Sequence, residues 1–449
     1  MKFELKSKFN NFIYLLLALL FVCTAVNVGL NFAGSGDSDL SNIAVAADQP
    51  TNTNYYWTDT EAQTEQDVDF TNYTLSSSET ETDTYLIQSE TDLAFLSWTI
   101  YTGNAYNNHV SGNYYYSGIY FKQTKNLDLS AYYWQPIGIY YTRTGTTTQR
   151  YFSGNYNGGG YTVSGVFTPA GSSDGYSFRG LFGRVNGRNT TQQASISNLG
   201  VIDSFVQGYQ YVGGVVGYAY SNATISNVYN TGIVSGSSYY VGGVVGYTNS
   251  STVSNVYNTG IVSGDSWTGG VVGDAYGTVR NAYNTGSVSG SSRVGGVVGY
   301  AYSTTVSNVY NTGSVSGTGD DVGGVVGDAS YSTVSNVYNT GSVSGSSNVG
   351  GVVGSADATV RNTYYGGACT LPVGIGSGSG SAKKIDSLVE EWAKNEEWYR
   401  VDATGEDGAP VWDLTNAWDF DFTWDIDSEQ NDGYPFLVKS YYWIDEYVQ

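Results

Sequence analysis

The chain has 449 residues, 15% of them aromatic and only 13% charged, and it includes 42 Tyr and 59 Gly. Eighteen Lys+Arg against 40 Asp+Glu leave a net charge of −22. A chain this acidic does not hold nucleic acid through its phosphates, and it is repelled by anionic membrane surfaces.

The first segment reads as an export signal. Lys2, Lys6 and Lys8 precede an apolar run from Phe12 to Leu30, the layout of a secretory leader. Ala44-Val-Ala46 supplies small residues for cleavage, so 1–46 is assigned as signal peptide and the protein as secreted or cell-surface. Two alternatives stay open. Uncleaved, a run of about nineteen residues reaches across a bilayer as an anchor, the only membrane contact expected. Cys23 offers lipid attachment, although Leu20-Phe-Val22 is bulky for that chemistry. Removing 1–46 takes away three lysines and three acids (Glu4, Asp37, Asp39), so the charge stays at −22. Residues 47–84 are polar and acidic, and read as a disordered linker.

From Tyr85 the composition changes. Leu86, Ile87, Leu93, Phe95, Leu96, Trp98 and Ile100 predict a short helix and strand. They are assigned, over 85–125, to a cap closing one end of the fold, because a bare terminal coil exposes unpaired strand edges. Irregular coils follow to 211, with loops at Tyr140–Arg150 and Thr168–Ser177.

Residues 212–367 then repeat one phrase: V-G-G-V-V-G, a variable patch, and T-V-S-N-V-Y-N-T-G-S-V-S-G. The first glycines of the pairs are Gly213, Gly242, Gly269, Gly295, Gly323 and Gly350, giving spacings of 29, 27, 26, 28 and 27 residues. A unit of that size cannot bury its own valines, but stacked units can. From 212 to 354 there is no Leu, Met, Lys or Glu. β-Branched and aromatic residues suit strands, and Gly and Asn suit corners. The expectation is an all-β fold, a right-handed parallel β-helix with three-strand coils of about 27 residues, rising one strand spacing per coil. The expected strands are V-G-G-V-V-G, T-V-S-N-V-Y and S-V-S.

Registration predicts columns. Tyr229, Tyr257, Tyr283, Tyr310, Tyr338 and Tyr364 stack as one aromatic ladder, and Asn227, Asn255, Asn281, Asn308, Asn336 and Asn362 as an amide ladder. Val253 and Val256 are three apart, so both face inward only if the chain bends at Asn255.

After Asn362-Thr-Tyr-Tyr-Gly-Gly367 the repeat decays. Residues 368–381 read as a Gly/Ser linker. Ile385, Leu388, Val389 and Trp392 predict an amphipathic helix over 382–396, the start of a small α+β C-terminal cap reaching 449. Its tryptophans, Trp398, Trp412, Trp418, Trp424 and Trp443, are cap core or a sugar-stacking surface.

V-G-G-V-V-G with N-x-Y-N-T-G-x-V-S-G resembles the GLUG repeat of exported bacterial surface proteins. The flanks agree: Asn126-Leu-Asp-Leu-Ser130 with Trp134-Gln-Pro-Ile-Gly138, the coil 152–163 (with Asn157 where Asp is usual), Gly180-Leu-Phe-Gly183, and a closing segment from Trp418-Asp-Phe420 to Gly433-Tyr-Pro-Phe-Leu437. The resemblance spans about residues 85–440. It implies an adhesin-like scaffold and is specific for fold rather than for activity.

Chemistry is sparsely represented. His109 is the only histidine, so neither an H-E-x-x-H zinc site nor a supported serine triad exists. No catalytic residue and no cofactor is assigned. A weak case for calcium rests on G-G-V-V-G-D at Asp274 and Asp328, with Asp320 and Asp321 as a looser acidic pair. The repeat charges are scattered and never recur more than twice in a column, which argues against an enzyme. The candidate binding surface is therefore the repetitive face: Tyr229, Tyr257, Tyr283, Tyr310 and Tyr338, the threonines Thr285, Thr312 and Thr340, and the serines Ser287, Ser289, Ser314, Ser316, Ser342 and Ser344. The expected role is a surface adhesin or envelope component whose partner is a glycan or a surface protein. A glycan-active lyase or hydrolase and a ligand-free spacer are the alternatives.

Overall fold

The computed structural model describes residues 52–56, 74–77, 84–143, 146–171, 173–191, 193–384, 424–425 and 436–437. Contacts divide the chain into Met1–Ala46 and Ala47–Gln449, and every described residue belongs to the second unit. The expected signal peptide and the 382–396 helix, apart from its first three residues, lie outside the described residues. Among them no helix is long and apolar enough to cross a membrane.

The fold is a parallel β-solenoid. Val216, Val245, Val272, Val298, Val326, Val353 and Ile375 pair in succession, each coil in register with the next. Each coil contributes three strands. The first carries the V-G pair, as in Val241–Gly242 and Ser292–Gly295. The second is long, as in Val245–Asn258. The third is the V-S segment, as in Val262–Ser263 and Val315–Gly317.

One strand assignment needs correction. V-G-G-V-V-G is not a single strand. Val241–Gly242 lies in one sheet and Val245 opens the next, so the glycine pair turns a corner. The valines on both sides still point inward. Val215, Val244, Val271, Val297, Val325 and Val352 are completely buried, together with the following valine of each coil. Burying one such side chain contributes about 1.5–3 kcal/mol, and the repeat supplies the same contribution coil after coil.

Two asparagine columns hold the coils in register. Asn198, Asn227, Asn255, Asn281, Asn308, Asn336 and Asn362 all have positive φ, between 49° and 59°. This is the expected bend, and it leaves Val253 and Val256 both buried. Along the outside of the bend each Nδ2 donates to the Oδ1 one coil earlier, as Asn255 does to Asn227 at 3.0 Å. A second, interior column was not anticipated. Asn230, Asn258, Asn284, Asn311 and Asn339 are fully buried. Each of the first four donates Nδ2 to the next Oδ1 at 2.8 Å. The same Nδ2 also donates to the carbonyl two residues on, as Asn284 does to Gly286 at 2.7 Å. The amides press against the second glycine of each pair: Asn258 on Gly243, Asn284 on Gly270, Asn311 on Gly296 and Asn339 on Gly324. Only glycine leaves room for them there. A buried amide is tolerated because its hydrogen-bonding capacity is used.

The ladder extends beyond the regular repeats. Thr84–Ile87 pairs in parallel with Tyr120–Gln123, which pairs with Asn155–Asn157. The region expected to be a cap therefore already contains coil. Helix α1, Glu90–Thr102, follows the first of these strands. Ser89 caps it by accepting from the Asp92 N–H at 3.1 Å, and the Asp92 carboxylate accepts from the Gln88 N–H at 2.8 Å. Leu93, Leu96 and Ile100 bury its inner face. Two stretches expected to be linker carry strands. Asn52–Tyr56 pairs with Tyr132–Tyr133, and Ile375–Gly378 adds a parallel strand beside Val353–Tyr365. A Gly/Ser-rich composition lowered the strand expectation for 368–381. The template edge of the preceding coil supplies the pairing that composition did not signal.

Candidate binding surface

The tyrosine ladder forms as expected, but as a buried stack. Successive centroids from Tyr229 to Tyr257, Tyr283 and Tyr310 are 4.8, 4.8 and 4.9 Å apart with planes within 7°. Tyr310 and Tyr338 follow at 5.1 Å. Tyr257, Tyr283, Tyr310 and Tyr338 keep only 7, 5, 1 and 1% exposure, and Tyr229 is half-buried. At strand spacing each ring covers its neighbours' faces. These tyrosines are therefore withdrawn as a contact surface. Thr285, Ser287, Ser314, Ser316, Ser342 and Ser344 are exposed, while Ser289, Thr312 and Thr340 are half-buried. Part of this hydroxyl face is self-satisfied, with Ser314 Oγ donating to Ser287 Oγ at 3.0 Å.

A different surface lies at the corner before each V-G pair and on the strand after it. The corner positions are Phe178, Tyr211, Tyr240, Trp267, Arg293, Asp321 and Asn348, all with φ between 49° and 65°. Left-handed backbone suits Asn and Asp, yet here it carries four aromatics in succession, at a conformational cost. Their rings stack: Phe178 on Tyr211 at 4.6 Å, Tyr211 on Tyr240 at 4.6 Å, and Tyr240 on Trp267 at 4.8 Å. The next residue, Arg293, lays its guanidinium 5.7 Å from the Trp267 centroid and 5.3 Å from that of Tyr300.

On the adjoining strand one register column reads Arg184, Tyr218, Tyr247, Asp274, Tyr300, Asp328 and Ser355. The neighbouring outward column reads Asn186, Tyr220, Asn249, Tyr276, and Tyr302 and Ser330 follow higher up. Here ring faces are open. Tyr302 is 42% exposed and Tyr331 71%, and the two meet edge-on at 5.7 Å instead of stacking. Tyr239 is likewise 42% exposed and tilted against Trp267.

Charge is embedded in this wall. Asp328 accepts from Arg293 Nε at 2.9 Å and from Ser330 Oγ at 3.3 Å. Burial still holds the Asp328 carboxyl above its ordinary range. Asp274 is pushed up to about 7 by burial, against the pull of Arg293. At the opposite end Arg184 sits 4.3–5.4 Å from the centroids of Tyr151, Phe178, Tyr140 and Tyr218, a cation enclosed by neutral rings.

Residues 208–235 and 290–316 match the family described as "The GLUG motif". Two of the chain's coils carry the GLUG motif. The two matched stretches fall on coils of the solenoid, the first containing Tyr211 and Tyr218 and the second Arg293, Tyr300 and Tyr302. No curated protein matches the chain. Among solved structures, one described as a "putative immunoglobulin A1 protease from Bacteroides ovatus" is similar at 18% identity and a TM-score of 0.44, covering 81% of this chain and 94% of that one. At that distance the likeness carries no argument about activity.

The acids weighed for calcium are not brought together. Tyr300 separates Asp274 from Asp328 in their column, and Asp328 is committed to Arg293. Asp320 and Asp321 are engaged by Ser347 and by Asn348 Nδ2. Among the described residues no group of three metal-ligating side chains forms. His109 Nε2 lies 3.2 Å from Tyr85 Oη, and Cys369 is buried. The aromatic corner itself was missed. Its signal was available: a Tyr, Tyr or Trp immediately before the V-G or T-G of three units, and Y-A-Y or Y-x-x after V-V-G.

Proposed function

We propose that the chain is an exported GLUG-type solenoid that adheres to carbohydrate through its aromatic corner. The observation that carries this reading is the open ring surface of Tyr302, Tyr331 and Tyr239, joined through Tyr300 and Trp267 to the Arg293–Asp328 pair. Sugars present apolar C–H faces that pack on rings, and hydroxyls that bond to charged groups at the ring edges. The self-stacked rings at the corner hold the wall rigid, so little side-chain entropy is lost on binding. Export and surface placement are part of this proposal, and rest on the leader-like layout of 1–46. The net charge of −22 keeps exported copies apart.

The test is a glycan array probed with the full chain, followed by titration of the best binder. The Tyr302→Ala/Tyr331→Ala pair should weaken binding by about tenfold or more, with unchanged far-UV circular dichroism. A blank array would favour the spacer reading, and a binder indifferent to the double substitution would place the contact elsewhere.

A glycan-active enzyme is the second reading, favoured by one observation. Asp274 and Asp328 stand two strand spacings apart, roughly 9.6 Å between backbones, near the roughly 6.5–9.5 Å carboxyl separation of inverting glycosidases. Arg293 opposes it by engaging the group that would serve as base. Product analysis of the bound glycan after long incubation distinguishes the two, since shortened chains would establish turnover.

A further inference from the structure

Asp274 and Asp328 hold the same register position two coils apart, with Tyr300 between them. Their surroundings differ in one respect. Asp328 is paired with the corner residue of the preceding coil, Arg293. The residue in the matching corner position for Asp274 is Tyr240. Asp274 thus has the acid of this motif without a directly paired cation, since Arg293 is bonded to Asp328.

Asp274 is only 8% exposed. Among the described residues no hydrogen bond reaches it. Tyr247 and Tyr300 flank it in its column. Tyr211, Tyr240, Tyr247 and Tyr300 lie close enough to feel its charge, and among the described residues Arg293 is the one cation acting on it. A buried carboxylate with no hydrogen-bond partner is costly, and a cation supplied from outside would relieve that cost. A second orphaned group belongs to the same coil: Trp267 Nε1–H is enclosed and has no acceptor among the described residues. Arg293, seated over the Trp267 and Tyr300 rings, shows that this wall accepts a cation against its faces.

We propose that the Asp274 slot, walled by Tyr240, Tyr247 and Tyr300 and continued by Trp267, takes the ammonium group of a cationic saccharide. The proposal rests on the carbohydrate reading above and names its ligand class. It has a pH signature. Asp274 must ionise to receive the cation, so binding releases a proton wherever the free carboxyl is still protonated. Affinity for a fixed charge therefore rises with pH until the free group is ionised, near 7.

The experiment is calorimetric titration of the full chain with two chitooligosaccharides of equal length, one N-trimethylated, so that its charge is fixed, and one N-acetylated. Each is measured at about pH 5.5 and about pH 8, on the wild type and on Asp274→Asn. The trimethylated oligomer should bind at least tenfold more tightly at the higher pH and release protons at the lower. Asp274→Asn should lose tenfold or more and abolish the pH dependence. If both oligomers bind alike and Asp274→Asn changes nothing, the ammonium slot is refuted while carbohydrate binding stands. If the trimethylated oligomer alone binds but survives Asp274→Asn, its attraction is to the diffuse negative charge, and the slot is again refuted. Binding of neither overturns both readings.

Discussion

Asn255 and Asn258 are three residues apart in one strand and do opposite work. Asn255 takes left-handed backbone and bends the chain outward of its valines, while Asn258 points into the core and joins a buried amide chain. The first role was legible, because Val253 and Val256 could share a core only across a bend. The second was not, since an asparagine in a strand normally argues for the surface. Asp274 shows the same gap between residue type and role. As one of two acids after V-V-G it read as a weak calcium echo, whereas burial makes it a carboxyl that stays protonated to about pH 7. Its folded value stands above the unfolded one near 3.8. The folded state therefore holds the proton more firmly, and Asp274 costs stability as pH rises from about 4 to about 7, with no further change above. The thermal midpoint of the wild type should fall across that window, and that of Asp274→Asn should fall less. Asp328, also raised, keeps part of the slope in the variant. Parallel slopes in a pH series of melting curves would show that Asp274 is not the group responsible.

At the scale of the element, the phrase V-G-G-V-V-G was legible as the unit of repetition and misread as one strand. A period tells which residues are equivalent but not where the chain turns. The turn is set by contacts between coils. A side chain at Gly295 would fall on the carbonyl oxygen of Val298 and within 2.7 Å of the Gly327 nitrogen in the next coil. The chain folds tightly back on itself at this point, and coil spacing leaves no room to relax. Gly295→Ala should therefore cost on the order of 3 kcal/mol. Gly175→Ala is the internal control, because its nearest neighbour would be the Ser173 hydroxyl at 3.9 Å. It should lie within roughly 0.5 kcal/mol of wild type. Urea midpoints of the two variants check this. Equal midpoints would mean that the glycine pairs are tolerated habit and not steric necessity.

At the scale of the whole solenoid, register makes coils interchangeable, and the site inherits that property. The aromatic corner is not a pocket folded from distant segments. It is a series of single positions, one per coil, that share a left-handed corner and a strand column. This is why a periodic sequence revealed the scaffold but left the site unread. The proposed site lies in the residues that break the repeat, which a search for repetition sets aside. The property can be tested by deletion. Removing residues 214–242, one coil of 29 residues by the Gly213–Gly242 spacing, joins Gly213 to Gly243 in phase. Tyr211 then takes the place of Tyr240 beneath Trp267, and Asn198 takes the place of Asn227 beneath Asn255. The shortened chain should stay soluble, keep its β-sheet circular dichroism, and melt only modestly lower, since one nearest-neighbour interface is lost among many. It should also keep the Asp274 slot, with Tyr211 as its lower wall. Removing 14 residues, 214–227, instead puts every later column out of phase and should abolish folding. If the half-coil deletion were as stable as the full-coil one, stacking in register would not be what holds these coils together.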